Sequence, residues 1–246
     1  RARAHGMPQS KLTAYWPDEG RPKRYAPNSV FPFPKYVACL SVCDSAHASW
    51  RRRGYEVLRT RERVEEHSGN IAFAMALSPC VDLCQAGARW WKRKRALDPQ
   101  FQEKAIAELV DVERVLQAAG SPYCLLCPAS HLVRRHFRSP DFVVHPCDFG
   151  GYLPDNSRHP KFPDVMPARD AYRKKTFVFG GNGFIMPRRR PVDAVTIKMK
   201  KKSKTVDVSP VYAKRKNQCL RKLPPLGFCE AVARLHAHEE KGESDR

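Results

Sequence analysis

The stretch Ala76-Leu77-Ser78-Pro79-Cys80-Val81-Asp82-Leu83-Cys84-Gln85-Ala86-Gly87-Ala88-Arg89-Trp90-Trp91 joins the end of an apolar run to a Pro-Cys step and then to a glycine-aromatic turn. Residues Ile71 to Leu77 are apolar and of strand length. Pro79 has no N–H to give to a sheet ladder, so a buried strand is expected to stop there and present Cys80 at its carboxyl end. Open α/β sheets keep their sites at that edge. Past Gly87, two adjacent indoles, Trp90 and Trp91, lead into Lys92, Arg93, Lys94 and Arg95. A stacking surface beside a cationic one suits nucleic acid.

The flanking segments repeat the theme of short buried strands with punctuated ends. Tyr36 to Cys43 is a continuous apolar run; Asp44 to Trp50 has helical spacing, and Gly54 to Leu58 reads as a second strand, which makes a βαβ beginning. Downstream, Asp98 is placed to cap a helix whose one face carries Phe101, Ala105, Ile106, Leu109, Val112, Leu116 and Ala119, with Gly120 as its stop. Further strands are expected at Pro122 to Pro128, Phe142 to His145 and Thr176 to Phe179. This alternation predicts an α/β fold, a mostly parallel sheet with helices on both faces. Ala194 to Met199 and Thr205 to Val208 are expected to pair around a lysine-rich tip, and Gly227 to Leu235 to form a closing helix. The organisation that follows has a Pro-rich basic arm over residues 1–34, a domain over 35–238 and a polar tail over 239–246. Within the domain lie a loop insertion at about 150–170, with six prolines or glycines, and a basic hairpin or loop at about 187–222.

The formal net charge of +20 over 246 residues is the strongest global property. A polyanion would relieve its self-repulsion and release counterions, so nucleic acid, RNA or DNA, is the expected partner. Pro187 to Lys222 alone carries 13 basic residues against Asp193 and Asp207, a net of +11. Expected contacts are Trp90, Trp91, Lys92, Arg93, Lys94, Arg95, Lys174, Lys175, Arg188, Arg189, Arg190, Lys200, Lys201, Lys202 and Lys204.

An anionic membrane surface is the second candidate for the positive charge, but no segment approaches the roughly 20 apolar residues of a membrane span, and no membrane is expected among the partners. The start at Arg1 reads as processed, tagged or truncated, and no secretory signal is evident. The odd count of nine cysteines, several in apolar runs, favours free thiols in a reducing intracellular compartment, the mitochondrion or another organelle included. Cys124-x-x-Cys127 with Cys80 and Cys84 invites a metal reading. Strand residues at that separation point to opposite faces, however, and the histidines show no ligand spacing, so no metal is expected.

Several of these residues together resemble the phage-type DNA cytosine-5 methyltransferases, which have a class I methyltransferase fold. Ser78-Pro79-Cys80 is similar to the family's Pro-Cys nucleophile motif, and Ala86 to Trp91 with its basic continuation is similar to the segment that follows it. In order along residues 35 to 238, three more stretches carry the likeness: His145-Pro146-Cys147-Asp148-Phe149-Gly150, Lys174-Lys175-Thr176, and Leu223-Pro224-Pro225-Leu226-Gly227-Phe228. The resemblance implies S-adenosylmethionine as cofactor if the chain is active, with Asp44, Ser45 and His47 at its site and Cys80 as the attacking thiolate. Three departures bear on that activity. Cys43 to Ser49 stands where the family has a glycine-rich turn, Arg59 where it has an acid for the cofactor ribose, and Leu126-Cys127-Pro128 where it has Glu-Asn-Pro. The favoured expectation is a nucleic-acid-binding protein that has lost catalysis and the cofactor, a structural part of a large nucleoprotein assembly such as a ribosome-like particle with other proteins. The alternative is an active DNA (cytosine-5) methyltransferase.

Overall fold

The computed structural model describes residues 34–40, 42, 44–78, 80–201, 204–213, 220 and 223–237. The expected arm, all but residue 34, and the tail lie outside them, as do Pro79, Lys202 and most of 214–222. Strand β1 (Tyr36–Leu40), helix α1 (Asp44–Arg51) and strand β2 (Glu56–Leu58) form the βαβ unit read from the sequence. Helix α2 (Arg61–Glu66) and strand β3 (Ile71–Leu77) follow. Two short 3-10 turns, Cys80–Asp82 and Gln85–Trp90, lead into α3 (Trp91–Leu97), α4 (Phe101–Ala118) and β4 (Tyr123–Pro128). Then come α5 (His131–His136), β5 (Phe142–Val144) and β6 (Thr176–Gly181). The hairpin strands β7 (Ile197–Lys201) and β8 (Lys204–Val208), α6 (Pro210–Ala213) and α7 (Leu226–His236) complete the chain.

Six strands make one sheet in the order β2-β1-β3-β4-β6-β5. The first four pair in parallel, and β6 runs antiparallel to both β4 and β5. The parallel strands are buried on both faces, which is why they read as unbroken apolar runs rather than alternating ones. Alternation sends Phe73, Met75, Cys124, Leu126 and Val178 into one cluster with Trp50 of α1 and Phe228 and Val232 of α7. It sends Ala74, Leu125, Cys127, Phe177 and Phe179 into another with Val64 of α2, Leu109 and Leu116 of α4 and Val133 of α5. Cys124 and Cys127 therefore lie on opposite sides of the sheet. Each large side chain so enclosed contributes about 1.5–3 kcal/mol of transfer free energy.

Helix α4 buries the stripe expected of it and ends where Gly120 takes φ +73, a conformation open to glycine without strain. Asp98 does not occupy the cap position itself, which falls to Gln100; its carboxylate accepts from Gln100 N–H at 3.1 Å and so folds the turn ahead of the helix. Helices α2 and α5 carry one buried side chain each, Val64 and Val133, and are started by Thr60 and Ser130, whose hydroxyls accept from Arg63 N–H and Leu132 N–H. The loop over 150–170 supplies Phe162, Val165 and Met166 to a small separate core with Tyr172, Val211, Leu220 and Leu223.

At the carboxyl side of that loop, Arg169 and Asp170 both have positive φ. This turns the Asp170 carboxylate toward the start of α7, where it accepts from Gly227 N–H at 2.9 Å. Gly227 is required on space alone, since a Cβ there would lie 2.5 Å from the Phe149 carbonyl oxygen.

Candidate nucleic-acid interface

Two regions bear on function. The first is the corner where β1 and β2 end. Asp44 opens α1 and Arg59 follows β2 directly; Arg59 Nη2 lies 3.0 Å from Asp44 Oδ1. Ser45 is half-buried. His47 is wholly enclosed, with Nδ1 3.6 Å from Asp44 and neither ring nitrogen in a hydrogen bond of good geometry among the described residues. Burial lowers its pKa to about 4, and the nearby Arg51 and Arg59 charges act in the same sense, so the ring is neutral near pH 7. Of the three residues expected at a cofactor site, His47 is thus the one the fold encloses. A fully enclosed ring meets no ligand unless α1 moves.

The backbone of Cys80 begins the 3-10 turn just past β3. Leu126 of β4 is fully buried in the α1–α7 cluster. Behind the corner, Glu230 of α7 is nearly enclosed and collects Arg52 and Arg53 at 2.8 Å and Arg234 at 2.9 Å. Burial would raise its pKa, but hydrogen bonds from Arg53, Ser49 and Arg234 outweigh that and hold it at about 2.

The second region is the surface after β3. Gly87 is pressed so closely onto the Val81 carbonyl oxygen that a Cβ would sit 2.0 Å from it. The two 3-10 turns are thereby locked together, and they deliver Trp90 at 46% exposure with the Arg89 guanidinium 4.8 Å from its ring centroid. Trp91 is half-buried, with Nε1 enclosed, so of the two expected stacking indoles Trp90 is the more exposed. Helix α3 then buries none of its side chains. Lys94 pairs with Asp82, and Arg95 donates to Gln102 at 3.1 Å. Lys92 and Arg93 are exposed and have no carboxylate partner among the described residues.

The remaining candidates are dispersed. Lys174 is a correction: it is 5% exposed and donates to the Leu223 carbonyl at 3.0 Å, bracing the approach to α7, so it is not a surface cation. Its neighbour Lys175 is exposed. Arg188, Arg189 and Arg190 are exposed, but Arg189 reaches Val143 O at 3.1 Å on the edge strand β5, and the Arg190 guanidinium lies 4.7 Å from the Tyr152 ring.

The predicted hairpin is present as the β7–β8 ribbon, beginning at Ile197 rather than Ala194. Its register sets Ile197 opposite Val208 and Met199 opposite Val206 on one face, with Lys198 opposite Asp207 and Lys200 opposite Thr205 on the other. Lys201 pairs in register with Lys204 at the end of the ribbon.

Sequence reasoning found Trp90 and its basic continuation but not that α3 is a helix with no fully buried side chain. The missing signal is an apolar stripe, and its absence was itself legible in Lys92 to Arg95. It also missed the Glu230 cluster, in which Arg52 and Arg53 come from more than 170 residues away. A scan against protein-family models finds no match, and a search of curated proteins returns no relative.

Proposed function

We propose that the chain is a nucleic-acid-binding protein on a class I methyltransferase-like sheet of the DNA cytosine-5 type, without catalysis, serving as a structural component of a nucleoprotein assembly. The observation that carries the binding is α3, a helix that buries no side chain of its own and extends Lys92 and Arg93 from beside an exposed tryptophan. Phosphates satisfy such a surface and a protein core does not. The sheet supports the fold part of the reading. Its parallel strands change direction of connection between β1 and β3, the place where α/β proteins bind cofactors, and its last strand enters antiparallel.

The same corner argues against S-adenosylmethionine. The residues there do not fit it: Arg59 cannot accept hydrogen bonds from ribose hydroxyls and is held by Asp44, and His47 is enclosed. Leu126 offers no proton to a cytosine ring. The placement of the Cys80 backbone past β3 favours the second reading, an active cytosine-5 methyltransferase.

One pair of measurements separates them. Isothermal titration of the purified chain with S-adenosylmethionine at micromolar concentration is expected to give no saturable heat, and a saturable isotherm would establish the second reading instead. Binding to a nucleic-acid oligomer is expected to weaken steeply with salt, and binding insensitive to salt would remove the first.

A further inference from the structure

We propose that Trp90 is a stacking platform for a single unpaired nucleobase, so that the α3 surface takes single-stranded nucleic acid in preference to duplex. The inference rests on the nucleic-acid reading above and narrows it to a class of ligand. One side of the indole is occupied by the Arg89 guanidinium, 4.8 Å from the ring centroid, and the residue is still 46% exposed. Nearly half of the residue is thus left open to a ligand, with a cation held against the ring.

The platform is anchored to the turns before it. Trp90 ends a 3-10 turn in αR geometry, that turn is seated on Val81 through Gly87, and the helix that follows is tied back by the Lys94–Asp82 pair. Stacking there costs little ordering of the protein. Lys92 and Arg93 start from the same point, so a strand whose base lies on Trp90 has its phosphates within the cationic surface. In a duplex each base face is covered by its neighbours, and the major and minor grooves offer only edges; a flat ring at the protein surface has nothing to stack on. A single strand exposes faces, and all four bases have them, so the platform is tolerant of sequence.

The test compares a 12-nucleotide single strand of mixed sequence with the corresponding 12-base-pair duplex, each bound to the full chain and to Trp90→Leu by fluorescence anisotropy at one salt concentration. The variant is expected to lose about tenfold in affinity for the single strand, within the range for one stacked base, and less than twofold for the duplex. Its slope of log affinity against log salt is expected to be unchanged. Trp90→Phe, which keeps an aromatic face, is expected to retain most of the single-strand affinity, so that a fold defect common to both variants is told apart from lost stacking. Equal losses on both ligands, or none on the single strand, would overturn the platform and leave the electrostatic reading in place. Failure of the unmodified chain to bind either oligomer would overturn both.

Discussion

The corner at the ends of β1 and β2 and the surface of α3 are both rich in arginine and lysine, yet the fold treats them in opposite ways. In and behind the corner, Arg59 is taken by Asp44, and Arg52, Arg53 and Arg234 converge on the one carboxylate of Glu230. On α3, Lys94 alone has an acidic partner, while Lys92 and Arg93 face outward without one among the described residues. Net charge does not distinguish the two; the supply of carboxylates within reach does. A positive residue matched by the protein is structure, and one left unmatched on a helix with no core contact is available to a ligand.

The sharpest way to break this contrast is at Glu230. Glu230→Gln leaves three guanidinium groups around a neutral amide in a nearly enclosed position, and a loss of about 3 kcal/mol in unfolding free energy is expected from urea denaturation. A loss below about 1 kcal/mol would mean that the arginines simply swing to solvent. The interior charges should also show themselves in pH dependence. His47 and His159 are both held at about 4, His159 by burial and by Lys161, against 6.5 for an ordinary histidine. Each lends stability that is full above pH 6.5 and falls away as the pH drops toward 4, because the unfolded chain takes up the proton first. Asp170 runs the other way. Burial raises it to about 6 in spite of hydrogen bonds from Gly227 and Leu226, so it returns stability as the pH falls from 6 toward 3.8.

These two losses outweigh the gain and leave a net decline on the order of 3 kcal/mol between pH 6.5 and 4, to which the lowered His145 and His236 add in the same direction. Glu230 adds a further loss from 4.5 down to 2. Urea midpoints measured from pH 7 to 4 that stay flat would contradict the enclosed, neutral histidines. The smallest stability effect belongs to α3: replacing Lys92, Arg93 and Arg95 together by Ala should change unfolding free energy by no more than about 0.5 kcal/mol per site. The same variant should flatten the salt slope for single-strand binding by up to about 2 units, each phosphate contact being worth about 0.7. A slope left intact would assign α3 to the solvated class and move the interface elsewhere.

The strands and α4 were legible because burial on both sheet faces leaves long apolar runs, and Pro79, Gly120 and Pro122 punctuate them. Helices α2 and α5 were not. Each is six residues long with a single buried side chain, so neither writes a periodicity, and only the hydroxyls of Thr60 and Ser130 mark them. The antiparallel entry of β6 was hidden as well, since Thr176 to Phe179 is equally apolar whichever way it runs. In the candidate site, Trp90 and its basic neighbours were visible, whereas Lys174 read as one more surface cation. Its burial depends on the Leu223 carbonyl, 49 residues away, and no local pattern encodes that contact.

The packing of α7 sets an order on the making of the molecule. Leu226 through Ala233 are all buried, and they cover the sheet face that bears Phe73 and Met75, with Phe149 packed in the same cluster. Until the ribosome has passed residue 233, α1 is the only α-helix there to cover that face, and the nascent chain must carry a partly open apolar sheet. Such a chain cannot complete its fold in step with translation, because the contacts that close it span almost the whole described sequence.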